Sequence, residues 1–134
     1  MIPIRGANIL VAGMGASGLA AVELLLANGA RPRATDLAPL DRLPEAARRL
    51  SQAGVPFDVQ SPAVFESCDA IVLSPGVPAD LPPLEAARGR GVPVIGELEL
   101  ASYFLRGRIM GITGSNGKTT TTSLIGHILR GCGI

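Results

Sequence analysis

A glycine-rich turn between a short apolar run and a helical pattern decides which folds this chain can adopt. Residues 8–12 read NILVA, and residues 13–18 read GMGASG, which has the spacing GxGxxG. In such a turn Gly13 makes the tight bend, Gly15 lets a phosphate group approach the backbone, and Gly18 lets the helix pack closely on the strand. The unpaired N–H groups at the start of the helix would face the anion. The turn therefore predicts the opening strand, phosphate-binding loop and helix of a parallel α/β sheet.

The rest of the chain repeats this alternation of strand and helix. Strands of a parallel sheet are buried on both faces and appear as short continuous apolar runs, which here cover residues 8–12, 33–35, 57–59, 70–73, 94–95 and 108–113. Helical patterns cover residues 17–28, 44–53, 83–90, 97–105 and 119–130. This rhythm predicts an α/β fold with a Rossmann-like, doubly wound, mostly parallel sheet, followed by the first strand, phosphate loop and helix of a second α/β domain.

An acidic residue follows the second predicted strand. Asp36 comes 23 residues after Gly13, where dinucleotide-binding domains place a carboxylate on a ribose. The first turn alone is thus compatible with a nicotinamide or flavin enzyme, and equally with a glycine turn that only permits packing. The first predicted domain has no His, Cys, Tyr or Lys at a strand end that could take part in hydride transfer, which argues against such an enzyme. His127 lies in the last predicted helix, where a surface or packing role is favoured.

A second glycine loop, GSNGKT at residues 114–119, follows the apolar run that ends at Thr113. The backbone N–H groups of this loop would surround a β-phosphate, Lys118 would neutralise the β- and γ-phosphates, and the Thr119 hydroxyl would bind Mg²⁺. The commonest form of this motif has a glycine where this chain has Ile112, so the loop is the shorter GxxGKT. An enzyme that takes both a nucleotide-linked substrate and ATP needs two such loops.

Composition excludes several other classes of protein. The net charge of +1 comes from 12 basic and 11 acidic residues spread along the chain, which leaves no basic patch for nucleic acid. Cys68 and Cys132 belong to no CxxC or Cys/His cluster that would indicate a zinc site. Polar residues and four glycines interrupt the apolar stretch 7–30, which argues against a signal peptide or membrane anchor. We expect a cytoplasmic protein with small-molecule partners.

The second loop, TGSNGKTT at residues 113–120, resembles the TGxNGKT or TGxHGKT loop of the Mur ligase family, whose first domain is glycine-rich and binds a UDP-sugar. Three further features are similar to the family member that adds D-glutamate. These are SPGV at residues 74–77, GELEL at 96–100, and Asn116 where the L-alanine-adding member usually has histidine.

The resemblance implies two binding sites. UDP-N-acetylmuramoyl-L-alanine would contact Gly13, Gly15, Ala16, Ser17, Gly18, Asp36, Ser74, Pro75 and Gly76. Within this set, Ala16 and Ser17 would meet the diphosphate and Asp36 the uracil side. ATP would contact Gly114, Ser115, Asn116, Gly117, Lys118, Thr119 and Thr120, with Lys118 and Thr119 as catalytic groups and Thr119 as the Mg²⁺ ligand.

Some of these positions have simpler interpretations. Ser74-Pro75-Gly76 also fits an ordinary turn between a strand and a helix. Glu97 and Glu99 favour a solvated helix start, because acidic side chains interact well with the helix dipole there. Leu37-Ala38 stands where the family often has Thr-Arg, so the contact made by that arginine is not expected.

The resemblance also implies a reaction and an organisation. The family forms an acyl phosphate from ATP and the substrate carboxylate, which the amine of D-glutamate then attacks. We expect residues 1–96 to form the UDP-sugar domain and residues 97–134 to begin an ATP-binding domain. The latter segment is too short to bury its own core, so we expect an amino-terminal part that is inactive alone. A dinucleotide-dependent oxidoreductase and a non-catalytic nucleotide-binding module remain alternatives.

Overall fold

Five parallel strands form one sheet within residues 2–133, the part of the chain that the computed structural model describes. They are β1 (Asn8–Ala12), β2 (Arg31–Asp36), β3 (Phe57–Val59), β4 (Ala70–Leu73) and β5 (Val94–Gly96). Their order in the sheet is β3-β2-β1-β4-β5. The chain builds outward from β1 to β3, then crosses back to the other side of β1. This arrangement confirms the predicted doubly wound fold and leaves a switch point between β1 and β4, where such sheets bind ligands.

In this described part of the chain, five α-helices connect or follow the strands: α1 (Ala16–Ala27), α2 (Glu45–Gln52), α3 (Pro82–Gly89), α4 (Glu97–Ser102) and α5 (Lys118–Gly131). Single 3₁₀ turns at Leu40–Arg42 and Pro62–Phe65 were not expected from the sequence. Each of the five predicted helices is present. Their ends differ from the predicted ones by one residue, except that α4 ends at Ser102 instead of Leu105.

The core lies on both faces of the sheet. Ile9 and Val11 of β1 belong to a cluster with Val22 and Leu25 of α1, while Leu10 belongs to a second cluster on the other face, with Phe65 and Leu84. Because successive side chains of a strand point to opposite faces, β1 is buried on both, as its continuous apolar run predicted. This central strand carries the glycine turn at its end and holds it on a rigid base.

The strand predicted over residues 108–113 is not formed. These residues make no ladder pairs with any described strand, and Ile109 and Met110 are mostly exposed. A strand forms when a neighbouring strand pairs its backbone groups, so an apolar run without such a neighbour stays irregular. Earlier in the chain, α4 packs on α1 and buries Leu100, which is 1% exposed. The domain boundary at residue 96 remains a prediction. The helix that follows it, α4, packs against α1 and against β4 and β5 of the first sheet.

Candidate functional site

A cavity of about 500 Å³ lies at the carboxyl edge of the sheet, over the switch point between β1 and β4. The loops that follow β1, β2, β3 and β4 all contribute to it. Seven of the nine residues predicted for the sugar nucleotide line this cavity: Gly13, Gly15, Ser17, Asp36, Ser74, Pro75 and Gly76. The structure therefore brings together residues that are as much as 63 positions apart (from Gly13 to Gly76) in the sequence.

The two remaining predicted residues do not line the cavity. Gly18 is buried beneath the turn, and Ala16 is exposed at the first position of α1. The lining also includes residues that were not predicted to contact the sugar nucleotide: Met14, Leu37, Gln60, Val77, Pro78 and Leu81. Most of these are apolar, so the cavity offers one largely apolar wall beside the glycine turn. Such a mixture suits a ligand with a ring and a polar or charged part.

Gly13 and Gly18 are required by the packing of the turn. Gly13 has a φ of +97°, which side chains other than glycine rarely adopt, and a β-carbon there would lie 2.8 Å from Cβ of Ser74. A β-carbon on Gly18 would lie 1.9 Å from the carbonyl oxygen of Gly13. The helix can therefore approach the strand only with glycine at position 18, as the spacing predicted.

Asp36 holds the turn from the neighbouring strand. Its Oδ2 accepts a hydrogen bond from the N–H of Met14 at 2.7 Å, and its Oδ1 accepts one from the N–H of Ala38 at 2.9 Å. The Gly13 N–H also donates to the Thr35 carbonyl at 2.8 Å. Charge-assisted bonds of this kind are among the stronger ones in proteins. Asp36 therefore fixes both the glycine turn and the Leu37-Ala38 segment at the rim of the cavity.

Ser74 and Glu97 meet behind the cavity. The Ser74 Oγ lies 2.9 Å from the Gly13 carbonyl oxygen and 2.5 Å from Oε1 of Glu97, which is half-buried. This contact was not predicted, because the sequence favoured a solvated position for Glu97. Glu99 is exposed as expected and accepts a hydrogen bond from the Tyr103 hydroxyl at 2.8 Å, which raises the pKa of Tyr103.

The second loop leads into α5. Gly114 and Gly117 have φ values of +152° and +77°, and α5 begins at Lys118. The Lys118 Nζ folds back over the loop and donates to the carbonyl oxygen of Gly114 at 2.5 Å. The first helical hydrogen bond of α5 runs from the Thr121 N–H to the Gly117 carbonyl, so the N–H groups of residues 118–120 precede it and point out of the helix start. The predicted residues 114–120 thus form one exposed loop and helix start.

Within residues 2–133, no three His, Cys, Asp or Glu side chains are close enough together to hold a metal ion. No helix in this described part of the chain is long and apolar enough to cross a membrane.

The family described as Mur ligase MurD-like, N-terminal domain, matches residues 7–96, which include the whole sheet and the cavity. This chain belongs to the Mur ligase family. The match confirms the resemblance that the two loops indicated, and it covers most of the chain.

Relatives within the Mur ligase family cover nearly all of this chain. A UDP-N-acetylmuramoylalanine–D-glutamate ligase of Solibacter usitatus is 60% identical over 131 residues, which are 98% of this chain and 29% of the relative. A ligase of the same name from Koribacter versatilis is 46% identical over 97% of this chain. The chain thus spans about 29% of the length of these curated relatives.

Solved structures agree on the fold. The UDP-N-acetylmuramate-alanine ligase MurC of Thermotoga maritima is 28% identical, with a TM-score of 0.61 over 92% of this chain and 29% of that protein. D-lactate dehydrogenase of Escherichia coli is also 28% identical, with a TM-score of 0.50 over 69% of this chain and 28% of that protein. The first of these similarities extends beyond the sheet, whereas the second covers a smaller part of the chain.

Proposed function

We propose that this chain is the part of an ATP-dependent ligase that binds the sugar nucleotide and carries the phosphate loop. The whole protein would add D-glutamate to UDP-N-acetylmuramoyl-L-alanine in peptidoglycan synthesis. The observation that carries this proposal is the 60% identity, over 98% of the chain, with a UDP-N-acetylmuramoylalanine–D-glutamate ligase. Because ATP and UDP-sugars are made in the cytoplasm, we place the reaction there.

The geometry of the first cavity supports a UDP-linked ligand. Gly15 caps α1, and a β-carbon on it would meet no atom within 4 Å, so the space above the helix start is open. A diphosphate fits this space, since the N–H groups at a helix amino terminus attract anions. Ser17 lies beside it, and the apolar wall that includes Leu37 and Leu81 can receive a base or sugar ring.

The second loop has the groups that a bound triphosphate requires. The N–H groups of residues 118–120 and the ammonium group of Lys118 converge at one exposed helix start. A bound phosphate would replace the carbonyl of Gly114 as the partner of Lys118. Thr119 offers a hydroxyl oxygen to Mg²⁺, which usually takes few protein ligands and keeps phosphate oxygens and waters. When bound, the ion would neutralise charge on the phosphates.

The proposed reaction joins two substrates through a phosphorylated intermediate. A carboxylate oxygen of the L-alanine group attacks the γ-phosphorus of ATP, and the bond to ADP breaks. The amine of D-glutamate then attacks the acyl carbon, and inorganic phosphate leaves. Lys118 would hold the β- and γ-phosphates in line and stabilise the charge that develops there, which is the principal demand of phosphoryl transfer. The first cavity would hold the sugar nucleotide so that its carboxylate faces the second loop.

This proposal is tested with a protein that contains the chain and the remaining length of its relatives. We expect phosphate release that requires ATP, UDP-N-acetylmuramoyl-L-alanine and D-glutamate together. L-alanine or L-glutamate in place of D-glutamate should give no release above background. Release that needs a different amino acid would assign the protein to another member of the family, and absence of release with every amino acid would reject the ligase function.

An oxidoreductase is the second candidate, because the GxGxxG turn is followed by Asp36 at the spacing of dinucleotide-binding domains and the dehydrogenase similarity covers 69% of this chain. Reduction of NAD or NADP by the chain in the presence of 2-hydroxy acids would favour it. Nucleotide binding without turnover by the longer protein would instead favour a non-catalytic module.

A further inference from the structure

The ends of three neighbouring strands place a backbone carbonyl, a hydroxyl and a carboxylate in a row. In the sheet, β1 pairs Ala12 with Leu73 of β4, and β4 pairs Leu73 with Gly96 of β5. The residues that follow these aligned positions are Gly13, Ser74 and Glu97. The register of the sheet therefore brings the three groups together at the carboxyl edge, beside the cavity.

The Ser74 hydroxyl connects the other two groups. Its Oγ is within hydrogen-bond distance of both the Gly13 carbonyl oxygen, at 2.9 Å, and Oε1 of Glu97, at 2.5 Å. A hydroxyl carries a single proton and donates to one acceptor at a time, although it can also accept. The shorter contact, in which Ser74 donates to Oε1 of Glu97, holds the hydroxyl in one rotamer, with its oxygen beside the Gly13 carbonyl.

Ser74 also has little freedom to move. It is buried, with 8% exposure. It also lies against Gly13 so closely that a β-carbon added to Gly13 would be 2.8 Å from Cβ of Ser74. The Gly13 carbonyl group also lies against Gly18, at the start of α1. The Gly13 peptide is therefore held between Ser74 and α1. A change in the Ser74 rotamer would move this peptide, together with the turn that faces the cavity.

We infer that Glu97 is a positioning residue for the nucleotide cavity. Through Ser74 it sets the position of the Gly13 peptide and so holds the glycine turn in the conformation that receives the ligand. Glu97 does not line the cavity, whereas Ser74 and Gly13 do, so its effect on a ligand passes through Ser74. This role rests on the proposed function in one respect, which is that UDP is the ligand of the cavity.

The test compares five variants of the full 134-residue chain by two measurements. These are the affinity for UDP and the hydrogen exchange of the backbone N–H groups in the turn, residues 13–18. We expect Glu97→Ala to weaken UDP binding about tenfold, the effect of losing one good hydrogen bond, and to speed exchange in the turn. Glu97→Gln should restore both values to within about twofold of the parent, because its amide oxygen can accept the same hydrogen bond from the Ser74 hydroxyl.

Three further variants separate this role from a general effect on the helix. Glu99→Ala removes the same charge from the exposed first turn of α4 and should leave both measurements unchanged. Ser74→Ala should match Glu97→Ala, and the double variant should lose no more than either single one, since both substitutions interrupt the same connection.

Three results would overturn the inference: a Glu97→Ala variant that equals the parent in exchange, a Glu97→Gln variant no better than Glu97→Ala, or losses that add in the double variant. The second result would indicate that only the charge of Glu97 at the helix start matters. If the parent chain fails to bind UDP, the proposed function fails, while the exchange measurement still decides the role of Glu97.

Discussion

At the scale of single residues, the glycines of the first turn are of two kinds. Gly13 and Gly18 are needed by the fold, since a side chain at either position would collide with Ser74 or with the Gly13 carbonyl. Gly15 has an ordinary φ of −71° and open space where its β-carbon would be. Neither a positive φ nor a collision requires glycine at position 15, where the N-cap of α1 could equally be serine or threonine. A ligand that approaches the backbone accounts for the absence of any side chain.

This difference predicts opposite effects of two substitutions. Gly15→Val should leave the free energy of unfolding within about 1 kcal/mol of the parent, since the change affects only a helix cap. It should weaken UDP binding more than tenfold, because the side chain fills the diphosphate space. Gly18→Ala should destabilise the fold by about 1–3 kcal/mol through overpacking. Thermal unfolding and calorimetry on both variants check this. Unchanged UDP affinity in a folded Gly15→Val variant would contradict the placement of the diphosphate.

A second prediction at this scale concerns Thr35, which is fully buried in β2. Its Oγ1 has no hydrogen-bond partner among the described residues 2–133. Leaving a buried hydroxyl unpaired costs about 1–3 kcal/mol, and valine has nearly the same shape. Thr35→Val should therefore raise the free energy of unfolding by about 1 kcal/mol in denaturant titrations. Thr35→Ser, which keeps the hydroxyl and loses a methyl group, should lower it. A Thr35→Val variant less stable than the parent would show that the hydroxyl is paired.

At the scale of elements, the sequence predicted the bounds of β1, β3 and β4 to the residue. β1 and β4 are buried along nearly their whole length and consist of continuous apolar runs, whereas β3 is partly exposed. β2 was predicted only over residues 33–35, yet it runs from Arg31 to Asp36. Its arginines and proline hide the pattern, and pairing with strands on both sides extends it. Tertiary pairing of this kind has no local signal.

The same reasoning explains how much of the site was predictable. Strand ends and glycine spacing located the turn, Asp36 and the segment that begins at Ser74. Gln60 was missed although the bounds of β3 were predicted, because a single glutamine after a strand belongs to no binding motif. The contact between Ser74 and Glu97 depends on the register across β1, β4 and β5, which single-strand patterns do not give.

The second loop gives a prediction at the scale of an element, since Lys118 stands at the start of α5. In a protein of the full length of the relatives, Lys118→Ala should lower turnover about a hundred- to a thousandfold, as loss of one preorganised charged group does. UDP-sugar affinity should stay the same, because the first cavity keeps all its contacts. Arg130→Ala removes an exposed cation from the last turn of the same helix and should change neither value.

The outcome for Lys118→Ala discriminates between two roles of the loop. Turnover within a few fold of the parent would indicate a structural turn, since most surface substitutions have small effects. A fall in UDP-sugar affinity at constant turnover per bound substrate would mean that the two loops have been assigned to the wrong ligands.

At the scale of the whole molecule, the chain corresponds to about 29% of the length of its relatives. Its described residues 2–133 form a five-stranded sheet with the cavity at its edge, whereas the second loop is followed in these residues by a single helix with no buried side chain. The two proposed sites therefore differ in how much of their surroundings is present in these residues.

This difference predicts that the 134-residue chain releases no phosphate that depends on D-glutamate. The phosphate loop does not by itself hold the amine of D-glutamate, and none of the residues assigned to the two sites does so. The assay is run beside a protein of full relative length as a positive control. D-glutamate-dependent phosphate release by the 134-residue chain would contradict the idea that catalysis requires amine-binding groups beyond the two assigned sites.

The most direct test of the central proposal is calorimetric titration of this chain with UDP, UDP-N-acetylmuramoyl-L-alanine and NAD. The cavity lies at the switch point of the sheet, and the seven lining residues that the sequence analysis predicted all belong to the matched family region 7–96. We predict that both uridine nucleotides bind and that NAD binds at least tenfold more weakly. The Gly15→Val variant should lose the uridine signal while remaining folded. Tight binding of NAD together with no binding of either uridine nucleotide would contradict the assignment of this cavity to a UDP-sugar.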